Sequence, residues 1–312
     1  MMYETLNPPY KVLLKKGEFV DDSRNGRIVP FKIYHPAEHD LDRMPVIFWS
    51  HGFGGNANGA AFLSRFLAGQ GYTLVHITHH GTDSSLWEGK EGHPWDILRK
   101  TSITRGTTLD RFLDVPFVLD QLPQWVKENP DVGRYMDLDN IGMSGHSFGA
   151  MTTQVMAGQM FPDESGKLVS MREDRFKAGV LYSPVPIRHL VNEEPEEYIY
   201  GPISIPMLHM TGTEDDSPLE GFGYKRRLVV AEHAEGAEQY LLVKNGGDHM
   251  VYNGTRGKLG DSDLRELHEE IIKMAALGFW DAQLKDDKKA RAWIADGGLS
   301  DYIGDNGEFK VS

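Results

Sequence analysis

The hydrophobic positions change period along the chain, and the changes outline a fold. Residues 12–20 and 27–35 alternate apolar and polar side chains around Asp22-Ser23-Arg24-Asn25-Gly26. Alternation at period two, with turn residues between the runs, predicts an antiparallel hairpin. Residues 45–50 form an unbroken apolar run closed by His51-Gly52. Such a run suits a strand covered on both faces of a parallel sheet. Residues 60–70 then switch to helical spacing, with Phe62, Leu63, Phe66 and Leu67 on one side and Gly71 as a stop. Strands are predicted at 72–78, 141–144, 178–182, 207–210 and 240–243, the last of the sheet. Helices are predicted at 110–122, 149–159 and 263–284, with Pro116 weakening the first turns of 110–122. Strands separated by helices imply an α/β protein: a mostly parallel central sheet flanked by helices, preceded by an antiparallel hairpin.

Two stretches break the alternation. Residues 80–108 are rich in Gly, Trp and His, and 184–206 in Pro and Glu. Long loops in a compact domain usually serve function, and in an open α/β sheet they overhang the carboxyl ends of the strands. Residues 1–284 read as one domain carrying these two insertions, and 285–312 as a charged, Gly-rich surface appendage.

Composition narrows the chemistry. The 312 residues carry a formal charge of −13, which disfavours nucleic acid and anionic membranes as partners. There is no cysteine, hence no disulfide, thiolate metal site or Cys nucleophile. Lys11, Lys15 and Lys16 interrupt any leader-like apolar stretch in residues 1–22, and no run suits a membrane span. The chain reads as soluble and cytoplasmic, or as secreted where a leader has been removed. His76, His79, His80 and His93 invite a metal reading, but their spacing matches no zinc motif. Neither metal nor cofactor is expected, and the partner is a small molecule.

Four segments carry the candidate chemistry. Gly145-His146-Ser147-Phe148-Gly149 follows an apolar strand and opens a helix of small residues. A serine hydroxyl is a poor nucleophile until it is presented to a base, and a sharp strand-to-helix turn with flanking glycines presents it. His51-Gly52-Phe53-Gly54-Gly55 follows the buried strand. The N–H groups of Phe53 and Phe148 are the candidate donors to an oxyanion. The turn Thr213-Glu214-Asp215-Asp216 ends a strand, and Asp215, with Asp216 as runner-up, is the candidate to orient a histidine. His249, in Gly246-Gly247-Asp248-His249-Met250, is the candidate base. It is one of thirteen histidines, singled out by the chain order Ser, Asp, His. Trp87, Trp95 and Tyr182 are candidate walls of a substrate pocket, with Trp49 and Phe222 as further aromatics.

These motifs, in this order, resemble the α/β-hydrolase superfamily over about residues 10–284. The hairpin with Asp22-Ser23-Arg24, the HGFGG loop, Phe117–Leu122 and Phe161-Pro162-Asp163 before Ala178–Leu181 resemble one group within it. That group comprises the predicted dienelactone hydrolases, akin to platelet-activating-factor acetylhydrolases, chlorophyllases and cutinase-like polyesterases. The resemblance implies a serine esterase with a Ser-Asp-His triad, an acyl-enzyme and no cofactor. It implies Ser147 as nucleophile, His249 as base, and Phe53 and Phe148 as oxyanion donors. Departures sharpen the expectation. Dienelactone hydrolases use a cysteine nucleophile, which is absent here. Mammalian-type acetylhydrolases carry their acid where this chain has Leu181-Tyr182-Ser183-Pro184, so the acid falls to the turn at Asp215. Cutinase-like enzymes usually have Met after the nucleophile, where this chain has Phe148. Polyester or phthalate-type cleavage, acyl transfer, and a non-catalytic binding protein on the same scaffold are the alternatives.

Overall fold

The alternation at the N-terminus becomes pairing. In the computed structural model, β1 (Val12–Asp21) and β2 (Arg27–Pro36) form the hairpin, in register from Val12 opposite Pro36 to Asp21 opposite Arg27. Its turn is held by the Asp21 carboxylate, which accepts from Ser23 N, Ser23 Oγ and Arg24 Nε. The structure describes residues 7–191, 193–254, 260 and 262–312. Residues 1–6 of the N-terminal segment and residue 192 of the 184–206 stretch lie outside the described residues.

The remaining elements alternate in chain order. They are β3 (Met44–Ser50), α1 (Ala61–Gly69), β4 (Thr73–Ile77), α2 (Pro94–Lys100), α3 (Arg105–Glu128) and β5 (Met136–His146). Next come α4 (Phe148–Ala157), β6 (Phe176–Tyr182), β7 (Met207–Glu214), β8 (Gln239–Asp248) and α5 (Asp263–Leu284). The chain closes with α6 (Lys288–Ala295), α7 (Gly298–Ile303) and β9 (Gly307–Val311). The nine-stranded sheet has the order β1-β2-β4-β3-β5-β6-β7-β8-β9. Strands β4, β3, β5, β6, β7 and β8 pair in parallel, while β1, β2 and β9 run antiparallel to their neighbours.

The apolar runs are continuous because both faces of the sheet are covered. Val46 and Phe48 of β3 join α3 and α4 in one core; Ile47 and Trp49 join α1 and α5 in the other. The carboxyl ends of β3, β5, β7 and β8 therefore lie along one edge of the layer. Among the described residues no helix is long and apolar enough to cross a membrane.

Two expectations change. The helix predicted at 110–122 runs over 24 residues with Pro116 and Pro123 inside it. A proline in a helix interior costs about 3 kcal/mol. Burying Phe112, Val115, Val118, Leu119 and Leu122 returns roughly 1.5–3 kcal/mol each, so packing wins. Thr104 caps the early start by accepting from Thr107 N. The segment 285–312 is not a surface appendage. It buries Ala290, Ile294, Leu299 and Ile303, and β9 pairs with β8 from Tyr240 opposite Val311, so 240–243 is not the last strand. Its apolar residues are few, but they fall on one side of short helices between charged neighbours.

Candidate active site

Ser147 sits between β5 and α4 with φ 57° and ψ −117°, a conformation costly for any residue with a Cβ. The glycines beside it are required by close approach. A Cβ on Gly149 would lie 1.8 Å from the Ser50 carbonyl oxygen, and one on Gly145 would lie 2.2 Å from that of Gly149. The Tyr182 carbonyl accepts from Ser147 N at 2.9 Å and fixes the turn. His146 ties the turn to the loop after β8: its Nε2 lies 2.7 Å from the His249 carbonyl. A carbonyl only accepts, so Nε2 carries the proton. Burial, reinforced by the neighbouring His249, pushes the His146 pKa down to about 3 and keeps the ring neutral.

The turn after β7 buries Asp215 and exposes Asp216. Of the two, it is Asp215 whose Oδ1 lies 2.7 Å from His249 Nδ1. Thr211 Oγ1 donates to Asp215 Oδ2 at 2.8 Å. Burial opposes ionisation of Asp215, but the charge of Arg227 and the bond to His249 outweigh it and hold the pKa below the ordinary value. Arg227 is itself buried. Its Nε meets the Asp215 carboxylate at 3.1 Å and the Asp215 carbonyl at 2.9 Å, and Nη1 donates to the Pro184 carbonyl. With its Nδ1–H donating to Asp215, His249 has no lone pair on that nitrogen for Arg227 Nη2 at 3.1 Å. That approach sets a positive charge against the pair rather than adding a hydrogen bond. Asp248 shapes the loop that carries His249, since its Oδ1 accepts from Met250 N and Val251 N.

The loop after β3 is pinned by its glycines. Gly54 N donates to the Thr82 carbonyl at 2.8 Å, and the Gly54 carbonyl accepts from Trp87 Nε1 at 2.7 Å. Among the described residues, no backbone or side-chain acceptor takes the N–H of Phe53 or of Phe148. Arg111 of α3, fully buried, ties the two carriers together. Its Nη2 donates to the His51 carbonyl and to Ser50 Oγ, Nη1 to Thr82 Oγ1, and Nε to Thr152 Oγ1 of α4. The guanidinium also lies 4.4 Å from the centre of the Phe148 ring. Burial depresses its pKa to about 9, and no carboxylate lies within ion-pair distance among the described residues.

Two cavities meet at Ser147. The larger, about 460 Å³, has Met151, Phe161, Val185 and Leu190 among its walls. The smaller, about 280 Å³, is lined by Trp87, Trp95, Met250 and His249. Phe53, Leu98, Ser147 and Leu219 border both. Leu98 comes from α2 and Leu219 from the segment after β7, and the two are joined by Arg99 Nε donating to the Pro218 carbonyl at 3.2 Å.

The expected residues sort as follows. Ser147, His249, Phe53, Trp87 and Trp95 share the smaller cavity, Phe148 and Phe222 line the larger, and Asp215 lies beneath, against His249. Tyr182 is a correction. It lines neither cavity, its side chain packs between Trp49 and Tyr252 in the core, and it serves the turn only through its carbonyl. Trp49 is likewise core. His76 and His79 are buried and bonded to Ser64 and Asp114, and no cluster of three metal-ligating side chains exists among the described residues. Sequence reasoning missed Arg111 and Arg227. Arg111 left a signal, a charged residue four before Val115 on the apolar stripe of its helix; Arg227 left none. No family model and no curated protein matches the chain.

Proposed function

We propose that the protein is a serine hydrolase of the α/β-hydrolase fold that cleaves carboxylic esters through an acyl-enzyme on Ser147. One observation carries the reading: a serine at positive φ stands where two cavities meet, and a buried Asp215–His249 pair opens onto one of them. The chain order Ser, Asp, His, each after a parallel strand, supports the fold assignment.

In this reading His249 takes the hydroxyl proton as Ser147 Oγ attacks the ester carbonyl. Asp215, kept ionised by Arg227, stabilises the imidazolium that forms. The N–H groups of Phe53 and Phe148, which have no other acceptor among the described residues, hold the oxyanion. His249 returns the proton to the departing alcohol, and water then releases the acid. The test is labelling by a fluorophosphonate probe together with turnover of p-nitrophenyl esters. Both are expected in the wild type and absent in Ser147→Ala. Turnover that survives Ser147→Ala refutes the assignment.

A further inference from the structure

The two cavities at Ser147 are not equivalent. His249 borders only the smaller one. Under the function proposed above, on which this inference rests, His249 must hand its proton to the leaving oxygen. The alcohol half of the ester therefore occupies the smaller cavity, between Trp87 and Trp95, and the acyl half fills the larger one.

The larger cavity is mostly apolar, but its lining residues include three arginines and one acid, Glu220. Two of the three are spoken for: Arg227 by Asp215, and Arg99 by Asp96 at 3.1 Å. Arg105 differs. It is half-buried and lies over the ring of Phe161, another wall residue, at 5.2 Å. Its one hydrogen bond among the described residues is from Nη1 to the Pro162 carbonyl at 3.3 Å. Among the described residues no carboxylate comes within 4.0 Å of it. The nearby Glu164 sets its Oε1 beside Gly106 instead. A guanidinium offers five N–H donors in a planar fork suited to a carboxylate. In a chain of net charge −13, this fork is held at the acyl-side wall with most of its donors unused.

We infer that the acyl half carries a second, free carboxylate that pairs with Arg105: the substrate is a hemiester of a dicarboxylic acid. The apolar walls at Met151, Val185 and Leu190 hold the carbon chain between the two carbonyl carbons. Attack by Ser147 expels the alcohol with the proton from His249, and water then releases the dicarboxylate. Nothing else is consumed.

The test uses paired p-nitrophenyl esters of equal chain length, one ending in methyl and the other in a free carboxylate, over four to eight carbons. In the wild type at low salt, kcat/KM should favour the carboxylate-ended ester about 10- to 100-fold. Added salt should shrink the preference. Arg105→Gln should bring the ratio near unity, and Arg105→Lys should keep part of it. A wild-type preference for the methyl-ended ester overturns the inference, and so does a preference that survives Arg105→Gln with a native melting curve. Either result leaves the esterase reading intact as long as Ser147 is required. If neither ester is cleaved and the fluorophosphonate does not label Ser147, the esterase reading fails and this inference falls with it.

Discussion

Among the described residues two sets of Ser, His and Asp stand out, and one of the two opens onto a cavity. In the first, Asp215 Oδ1 lies 2.7 Å from His249 Nδ1, and His249 and Ser147 border the same cavity. In the second, Ser50 Oγ lies 3.0 Å from His79 Nε2, and His79 Nδ1 lies 3.0 Å from Asp114 Oδ2. The second set has both links of a Ser–His–Asp relay. Arg111 can only donate to Ser50 Oγ, so the hydroxyl proton points to His79, and Nδ1–H points to Asp114. Yet Ser50, His79 and Asp114 are all fully buried, and none borders either cavity. Ser50 lies in a regular strand, whereas Ser147 is forced out of its backbone by a turn. Asp114 also binds Arg24 and Arg27 of the hairpin, so it joins layers of the fold. Under the proposed function, residue types and hydrogen bonds are therefore not enough to make a reactive serine. Access and backbone strain separate the two arrays.

Substitutions can break this contrast, and the serines should give the largest effect. Ser147→Ala is expected to lower ester turnover by about 10⁴- to 10⁶-fold with little change in melting temperature. Ser50→Ala should act on stability instead, costing about 1–3 kcal/mol because Arg111 and His79 each lose a buried partner. If the two variants lose turnover equally, the contrast is wrong. The acids come next. Asp215→Asn should cost roughly 10³- to 10⁴-fold in kcat. Asp114→Asn should cost about 3–5 kcal/mol in urea unfolding, since it strips charge from a buried site shared with two arginines. An Asp114→Asn protein as stable as the wild type would remove its structural role.

Arg111 bonds Ser50 and the His51 carbonyl and lies over Phe148, so it should show a mixed effect. Under the proposed function Arg111→Met is expected to reduce kcat about 10- to 100-fold with a smaller change in KM, because it loosens the segments that carry Phe53 and Phe148. Arg111→Lys should restore part of kcat. A loss confined to melting temperature would reduce Arg111 to packing.

The mildest effect is that of pH on stability. Burial, with the charge of Arg111, pushes the His79 pKa from 6.5 down to about 4. Between those values the unfolded chain binds a proton that the native protein refuses, so stability falls as pH drops from 6.5 towards 4. Asp114 acts lower. Burial opposes its charge, but Arg27 and His79 prevail and hold it at about 2, so its contribution is lost as pH falls from 3.8 through 2. Urea midpoints measured from pH 7 to 4 should decline, and His79→Gln should flatten the decline by up to one proton. A midpoint independent of pH in the wild type would contradict this.

Much of this was legible in the chain. Period-two and unbroken apolar runs locate the hairpin and the parallel strands, because burial on one face or two dictates those patterns. Gly145 and Gly149 mark the turn at Ser147 because any side chain there would collide with a carbonyl. The preference for Asp215 over Asp216 had no local pattern behind it. Neighbours in sequence point opposite ways out of a turn, and only the packing of Arg227 decides which is buried. The second array was invisible for the same reason: Ser50, His79 and Asp114 are brought together by β3, β4 and α3, with no local pattern. Helix α3 exceeded its predicted length because proline's local cost is visible and the core that overrides it is not.

The positive φ of Ser147 bears on how the chain tolerates change. Glycine is the residue that adopts that conformation without strain. Ser147→Gly would thus delete the hydroxyl and relax the backbone at once. Under the proposed function, the residue best for the fold at this position and the residue able to perform acyl chemistry are different residues. A lineage drifting towards greater stability at residue 147 would arrive at a sound scaffold with two empty cavities and nothing at their junction to join them.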